Sequence, residues 1–128
     1  MTSPDQITLT IPRDRALFSV AYLVLGGVGV RVNLTVEHLE DLELAVETAL
    51  ERVRADAVTV TLRIKDGEIE TLVGPMSDGV RAELAAGDGD IVGLRRILDA
   101  LVDRAELETD EAGSEWLKLT KAVERTEA

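Results

Sequence analysis

The chain has no cysteine, one histidine, and one each of Trp, Tyr and Phe among 128 residues. Without cysteine there is no disulfide framework, no thiol chemistry and no Cys-based zinc site, and a reducing cytoplasm suits the composition. The single histidine, His38, stands beside Glu37 early in an acidic helix with no partnered nucleophile in view. It reads as an exposed helix residue rather than an acid/base catalyst. Bases are scarce as well: 14 Lys and Arg face 25 Asp and Glu, for a net charge of −11 and a pI near 4.5. Nucleic-acid binding requires a basic footprint that displaces counterions from phosphates, so that class is excluded. The acid is spread along the chain, which reads as a solvated acidic surface or as the counterpart of a basic protein partner. Long apolar runs are missing too. The longest, Ala16 to Val30, is broken by Ser19 and Gly26, Gly27 and Gly29 and is shorter than the roughly 20 residues a bilayer needs, so no membrane span is expected. The opening MTSPDQ has neither a basic n-region nor an apolar h-region, so no signal peptide is expected.

What remains is 45% hydrophobic with 2% aromatic content, which predicts an ordered single domain over residues 1–128 with a core of Leu, Val, Ile and Ala spanning about 6–123. Alternation of Ile7, Leu9 and Ile11 with Thr8 and Thr10 predicts a first strand from Gln6, ended by Pro12. A helix follows from Asp14 and is expected to stop at Gly26-Gly27. Thr35 to Arg52 is an amphipathic helix: Thr35 is a natural N-cap, acids fill the first turns, and Leu39, Leu42, Val46, Ala49, Leu50 and Val53 recur at helical spacing. Val58 to Lys65 and Glu68 to Val73 flank Asp66-Gly67, a type I′ hairpin signal. Pro75 to Asp90 reads mainly as loop, with a short helical turn around Val80 to Ala85. A helix over Ile91 to Val102 precedes a second hairpin, Ala105 to Thr109 and Glu115 to Lys121, and a frayed tail after Val123. Runs of strands separated by helices predict an α+β two-layer sandwich with the helices on one sheet face.

The words that carry a likeness come next. LEDLELAVETALERV resembles the helix that holds the N-box in the anti-sigma factor/serine-kinase branch of the GHKL (histidine-kinase-like) ATPases, and WLKLTK resembles that family's closing strand. The likeness spans roughly residues 6–123 and implies a GHKL-type sandwich with a mixed sheet. In the family a Glu orients the attacking water or hydroxyl, and an Asn four residues on ligates the Mg²⁺ that bridges the ATP phosphates. Aligned without gaps through Leu44-Ala45-Val46, these roles fall on Thr48 and Arg52. A guanidinium is the wrong group for a hard metal. A one-residue slide would place Glu47 and Glu51 there but turns the apolar stripe by about 100°. The family's adenine-binding Asp-x-Gly-x-Gly box corresponds to LVGPMSDGV, where Pro75 stands in the Asp position and Asp78-Gly79 is at most a displaced remnant. Its Gly-rich helix start corresponds to DGDIVGL, which keeps Gly93 and Leu94 but sets Asp88 and Asp90 beside the phosphate position. On the residues alone, Gly87 and Gly89 are turn residues, Asp90 a helix N-cap and Gly93 a close-packing position. The Asp88/Asp90 pair lacks the other ligands of a Ca²⁺ loop, and Gly26-Gly27-Val28-Gly29 lacks the strand and Lys of a phosphate loop.

The resemblance therefore implies a degenerate domain with a vestigial pocket at Thr48, Arg52, Pro75, Asp78 and Gly93, no catalytic residue, no metal and no cofactor. It implies regulation of transcription by protein contact, with a sigma factor or a STAS-type antagonist as partner and a homodimer as the working form, in the cytoplasm. Arg52 is expected to point into the pocket and meet Asp78 or Asp88. Two alternatives stay open: an active ATP- and Mg²⁺-dependent serine/threonine kinase using Glu47, Glu51 and Asp78, and a purely structural dimerisation module. Trp116 falls on the sheet face opposite Leu117 and Leu119. There it is either half-covered by its neighbours or part of a contact surface, as is the first strand.

Overall fold

The computed structural model describes residues 5–86 and 93–123. Along the chain run β1 (Asp5–Pro12), a 3₁₀ turn (Arg15–Leu17), α1 (Phe18–Arg31), α2 (Val36–Leu50), β2 (Ala57–Lys65) and β3 (Glu68–Gly74). Then come α3 (Val80–Ala85), α4 (Leu94–Leu101), β4 (Arg104–Thr109) and β5 (Glu115–Ala122). The expected α+β arrangement is present: five strands form one sheet in the order β1-β2-β3-β5-β4, and the helices cover one face. The expected mixed sheet is not. Every pairing is antiparallel. Two helices separate β1 from β2, an even number that reverses the strand direction. β3 and β4 do run the same way, but the β4–β5 hairpin folds β5 into the gap between them, so they never pair.

Pleating assigns the faces. Val58, Val60 and Leu62 of β2, Ile69 and Val73 of β3, and Leu117 and Leu119 of β5 point into the core, where they meet Leu42, Val46, Ala49 and Leu50 of α2 and Leu94 and Leu98 of α4. The opposite face carries hydroxyls and charges, including the Thr10–Thr59 side-chain hydrogen bond at 2.9 Å and the Lys118–Glu108 ion pair at 2.8 Å. Leu72, 6% exposed, and Trp116 are the large apolar side chains there. Lys121 reaches from β5 to the last turn of α4, donating to Leu101 O at 2.8 Å and lying 3.6 Å from Asp41.

The turns follow local chemistry. Asp66 and Gly67 both have positive φ, 45° and 80°, as a type I′ turn requires. Thr35 caps α2 by accepting from the His38 backbone N–H at 3.1 Å. His38 itself is half-buried rather than exposed. The expected stop at Gly26-Gly27 does not occur, since α1 continues to Arg31. Each helical glycine costs about 1 kcal/mol relative to alanine, and burial of Leu25, Val28 and Gly29 outweighs it. Gly29 also permits close helix approach, because a Cβ there would lie 3.2 Å from Leu39 Cδ1. The true terminator is Asn33, at φ 61°. Its N–H donates to Val30 O at 3.2 Å and the Leu34 N–H to Gly29 O at 2.9 Å, a Schellman cap. No helix among the described residues is long and apolar enough to cross a membrane.

Candidate functional site

Thr48 and Arg52, the positions at the end of α2 on which the resemblance would set the base and the metal ligand, are occupied by the protein's own bonds. Thr48 is 9% exposed and its hydroxyl donates to Leu44 O at 2.8 Å, the backbone bond that a helical threonine makes when nothing else claims it. Arg52 folds back along the helix. Its Nη1 donates to Thr48 O at 2.9 Å, while Nε and Nη2 donate to Glu83 Oε1 and Oε2 at 3.2 and 2.9 Å. The fork against a carboxylate is the geometry in which arginine binds strongly. With a side chain only 23% exposed, Arg52 bridges α2 to α3. The expected partner is thus corrected: Arg52 meets Glu83, not Asp78, and Asp88 and Asp90 lie outside the described residues, as do Gly87 and Gly89.

The segment after β3 is sewn to the same helix end. Ser77 N–H donates to Arg52 O at 3.0 Å, and Val53 and Met76 form an isolated antiparallel bridge. Pro75 follows a cis peptide bond to Gly74 and is half-buried, offering no backbone donor. Asp78 is exposed and lines an open, polar cavity of about 410 Å³ with Pro75, Arg81, Ser114 and Glu115. Arg81 and Glu115 form an ion pair beside it. Gly93 is exposed and caps α4, accepting from the Ile97 N–H at 3.1 Å. The fold therefore brings Thr48 and Arg52 together, sets Pro75 and Asp78 at a neighbouring cavity, and places Gly93 at a helix start. Glu47 and Glu51, the carboxylates of the kinase alternative, face Arg15 at 4.0 and 3.3 Å rather than the loop carrying Asp78. Among the described residues no group of His, Asp and Glu is placed to hold a metal ion.

Trp116 lies on the sheet face that carries no helix, as alternation predicts, and is half-buried. Its ring covers Gly74, where an added Cβ would come within 2.7 Å of the indole. Its Nε1 donates to Asp110 Oδ2 at 2.8 Å. Asp110 also accepts from Ala112 and Ser114 N–H at 3.0 and 2.9 Å, closing the β4–β5 turn. The Trp116 indole N–H, then the Ser114 amide, hold the Asp110 carboxyl below its ordinary value. With Thr61, Arg63, Leu72 and Glu108, Trp116 lines a shallow cavity of about 260 Å³.

Sequence reasoning missed Glu83. It lies 31 positions from Arg52, and no local spacing rule links residues that far apart. Only the placement of α3 against α2 pairs them.

Compared with known protein families and with curated proteins, the chain matches no family model and no curated protein.

Proposed function

We propose that this chain is a regulatory protein-recognition domain, anti-sigma-factor-like in its layout, that has given up nucleotide chemistry. The observation that carries the reading is the Arg52 side chain. It spends its donors on Glu83 and Thr48 O in the place where the resembling family needs a metal ligand, and Thr48 spends its hydroxyl on Leu44 O. Binding Mg²⁺ and triphosphate there would require breaking a charge-assisted fork, each bond of which is worth about 1.5–3 kcal/mol. The domain acts in the cytoplasm by contact with a sigma factor or a STAS-type antagonist, without cofactor or metal.

Self-association belongs to the same reading. β1 is an edge strand with Ile7 44% exposed, and no lysine interrupts Gln6 to Ile11. Natural edges are usually blunted by charge or covered, so β1 suits pairing with a second copy. Calorimetric titration with Mg·ATP tests the first claim: no heat of binding is expected up to millimolar nucleotide, and micromolar affinity would overturn it. Sedimentation over a concentration series tests the second, for which a monomer throughout is the adverse result.

A further inference from the structure

We propose that the outward surface of the α1–α2 pair docks a basic amphipathic helix of a partner protein. This rests on the recognition role above and names a surface and a partner chemistry for it. The inner side of α1 buries Phe18, Ala21, Leu25 and Val28, yet its outer side is apolar too, with Leu23 and Val30 each 76% exposed. Gly26 lies between them, where an added Cβ would meet nothing within 4 Å. A helix apolar on all sides is normally covered on all sides.

The neighbouring wall has the opposite character. α2 carries Glu37, Glu40, Asp41, Glu43 and Glu47 and no lysine or arginine. Asp41 is satisfied by Lys121 at 3.6 Å, and Glu47 lies 4.0 Å from Arg15. Among the described residues Glu37, Glu40 and Glu43 meet no basic side chain at ion-pair distance. Partial burial and the neighbouring Glu40 charge push the Glu43 carboxyl up, so a cation brought to this wall relieves an existing repulsion. Val36 and Leu44 stand 72% and 50% exposed among these acids. Four of the five large apolar side chains exposed in the described structure thus lie on α1 and α2.

Leu23 and Val30 are seven residues apart, about two helical turns, and Glu37, Glu40 and Glu43 recur at three-residue steps over a similar length. One wall offers apolar contact and the other negative charge. A helix with an apolar stripe and a lysine- or arginine-rich flank answers both at once. A second copy of this chain would bring the same acidic α2 and answers neither charge.

The test is a fluorescence-anisotropy titration of the full chain with a labelled lysine/leucine amphipathic helical peptide, run beside a glutamate/leucine peptide of the same pattern. Saturable binding of the basic peptide is expected, weakening as salt screens it. Leu23→Ser and Glu40→Lys should each reduce affinity about tenfold. Both positions are exposed, and unchanged thermal unfolding checks that the variants fold. Trp116→Ala should leave the affinity as it is. The inference is overturned by absence of binding, by equal binding of the acidic peptide, or by indifference to both variants. Self-association that disappears in Leu23→Ser would also overturn it, by assigning the face to a second copy. Failure here with no Mg·ATP binding removes this surface alone, whereas Mg·ATP binding removes the functional reading whatever the peptide does.

Discussion

On the inward side of α2, Leu42 is fully buried, Thr48 returns its hydroxyl to Leu44 O and Arg52 reaches Glu83, while on the outward side of the same helix Leu44 is half-exposed and Glu40 has no base beside it among the described residues. The two sides share one sequence and one set of caps, so helix propensity cannot separate them. Burial does. Inside, Thr48 and Arg52 are bonded within the protein, because an unpaired donor or acceptor there costs about 1–3 kcal/mol. Outside, water screens the carboxylates and nothing compels pairing.

The largest effect should come from the two leucines. Leu42→Ala should cost ~2–5 kcal/mol in urea unfolding, and Leu44→Ala about 0.5 kcal/mol or less. Similar losses at both would break the contrast.

Next in size is the internal ion pair. Arg52→Ala should destabilise by ~1–3 kcal/mol, because it also leaves Thr48 O and Glu83 without their donor. A double-mutant cycle with Glu83→Ala should return a coupling of about 1 kcal/mol. Additive losses would mean that the fork holds nothing in place. A third contrast sets a covered glycine against an open one. Gly74→Ala drives a methyl into the Trp116 ring and should cost ~1–3 kcal/mol with a shift in tryptophan emission. Gly26→Ala meets open space and should stabilise α1 by roughly 0.5–1 kcal/mol. Thermal melts of the two variants moving in the same direction would contradict this.

The smallest effect is a titration. Asp110 is held below its ordinary value of 3.8 by the indole N–H and the turn amides, so its contribution is fully present above the ordinary aspartate range. It is lost as pH falls through the depressed folded value. Trp116 is the only tryptophan, so its emission should report a midpoint below 3.8 that vanishes in Asp110→Asn. A midpoint at or above the ordinary value would show that the hydrogen bond does not bias Asp110.

Much of this was legible in the chain, for a reason visible element by element. Period-two alternation marked β1, β2 and β5, and it put Trp116 on the face away from Leu117 and Leu119 because successive strand side chains must point oppositely. Thr35 and Asp66-Gly67 were readable because a cap and a type I′ turn depend on residues within three or four positions. α3 fell where the short helical turn was expected. α1 was read too short, since glycine's local cost was visible while the burial of Val28 and Gly29 that repays it was not.

By itself, then, the sequence determined the kinds of element, most of their boundaries and the faces of the strands. The tertiary structure decided that β5 lies between β3 and β4, that the sheet is antiparallel throughout, and that Arg52 has Glu83 as its partner. The former follow from steric and hydrogen-bonding rules that act over a few residues. The latter depend on which distant surfaces bury together, a choice made by the free energy of the whole core.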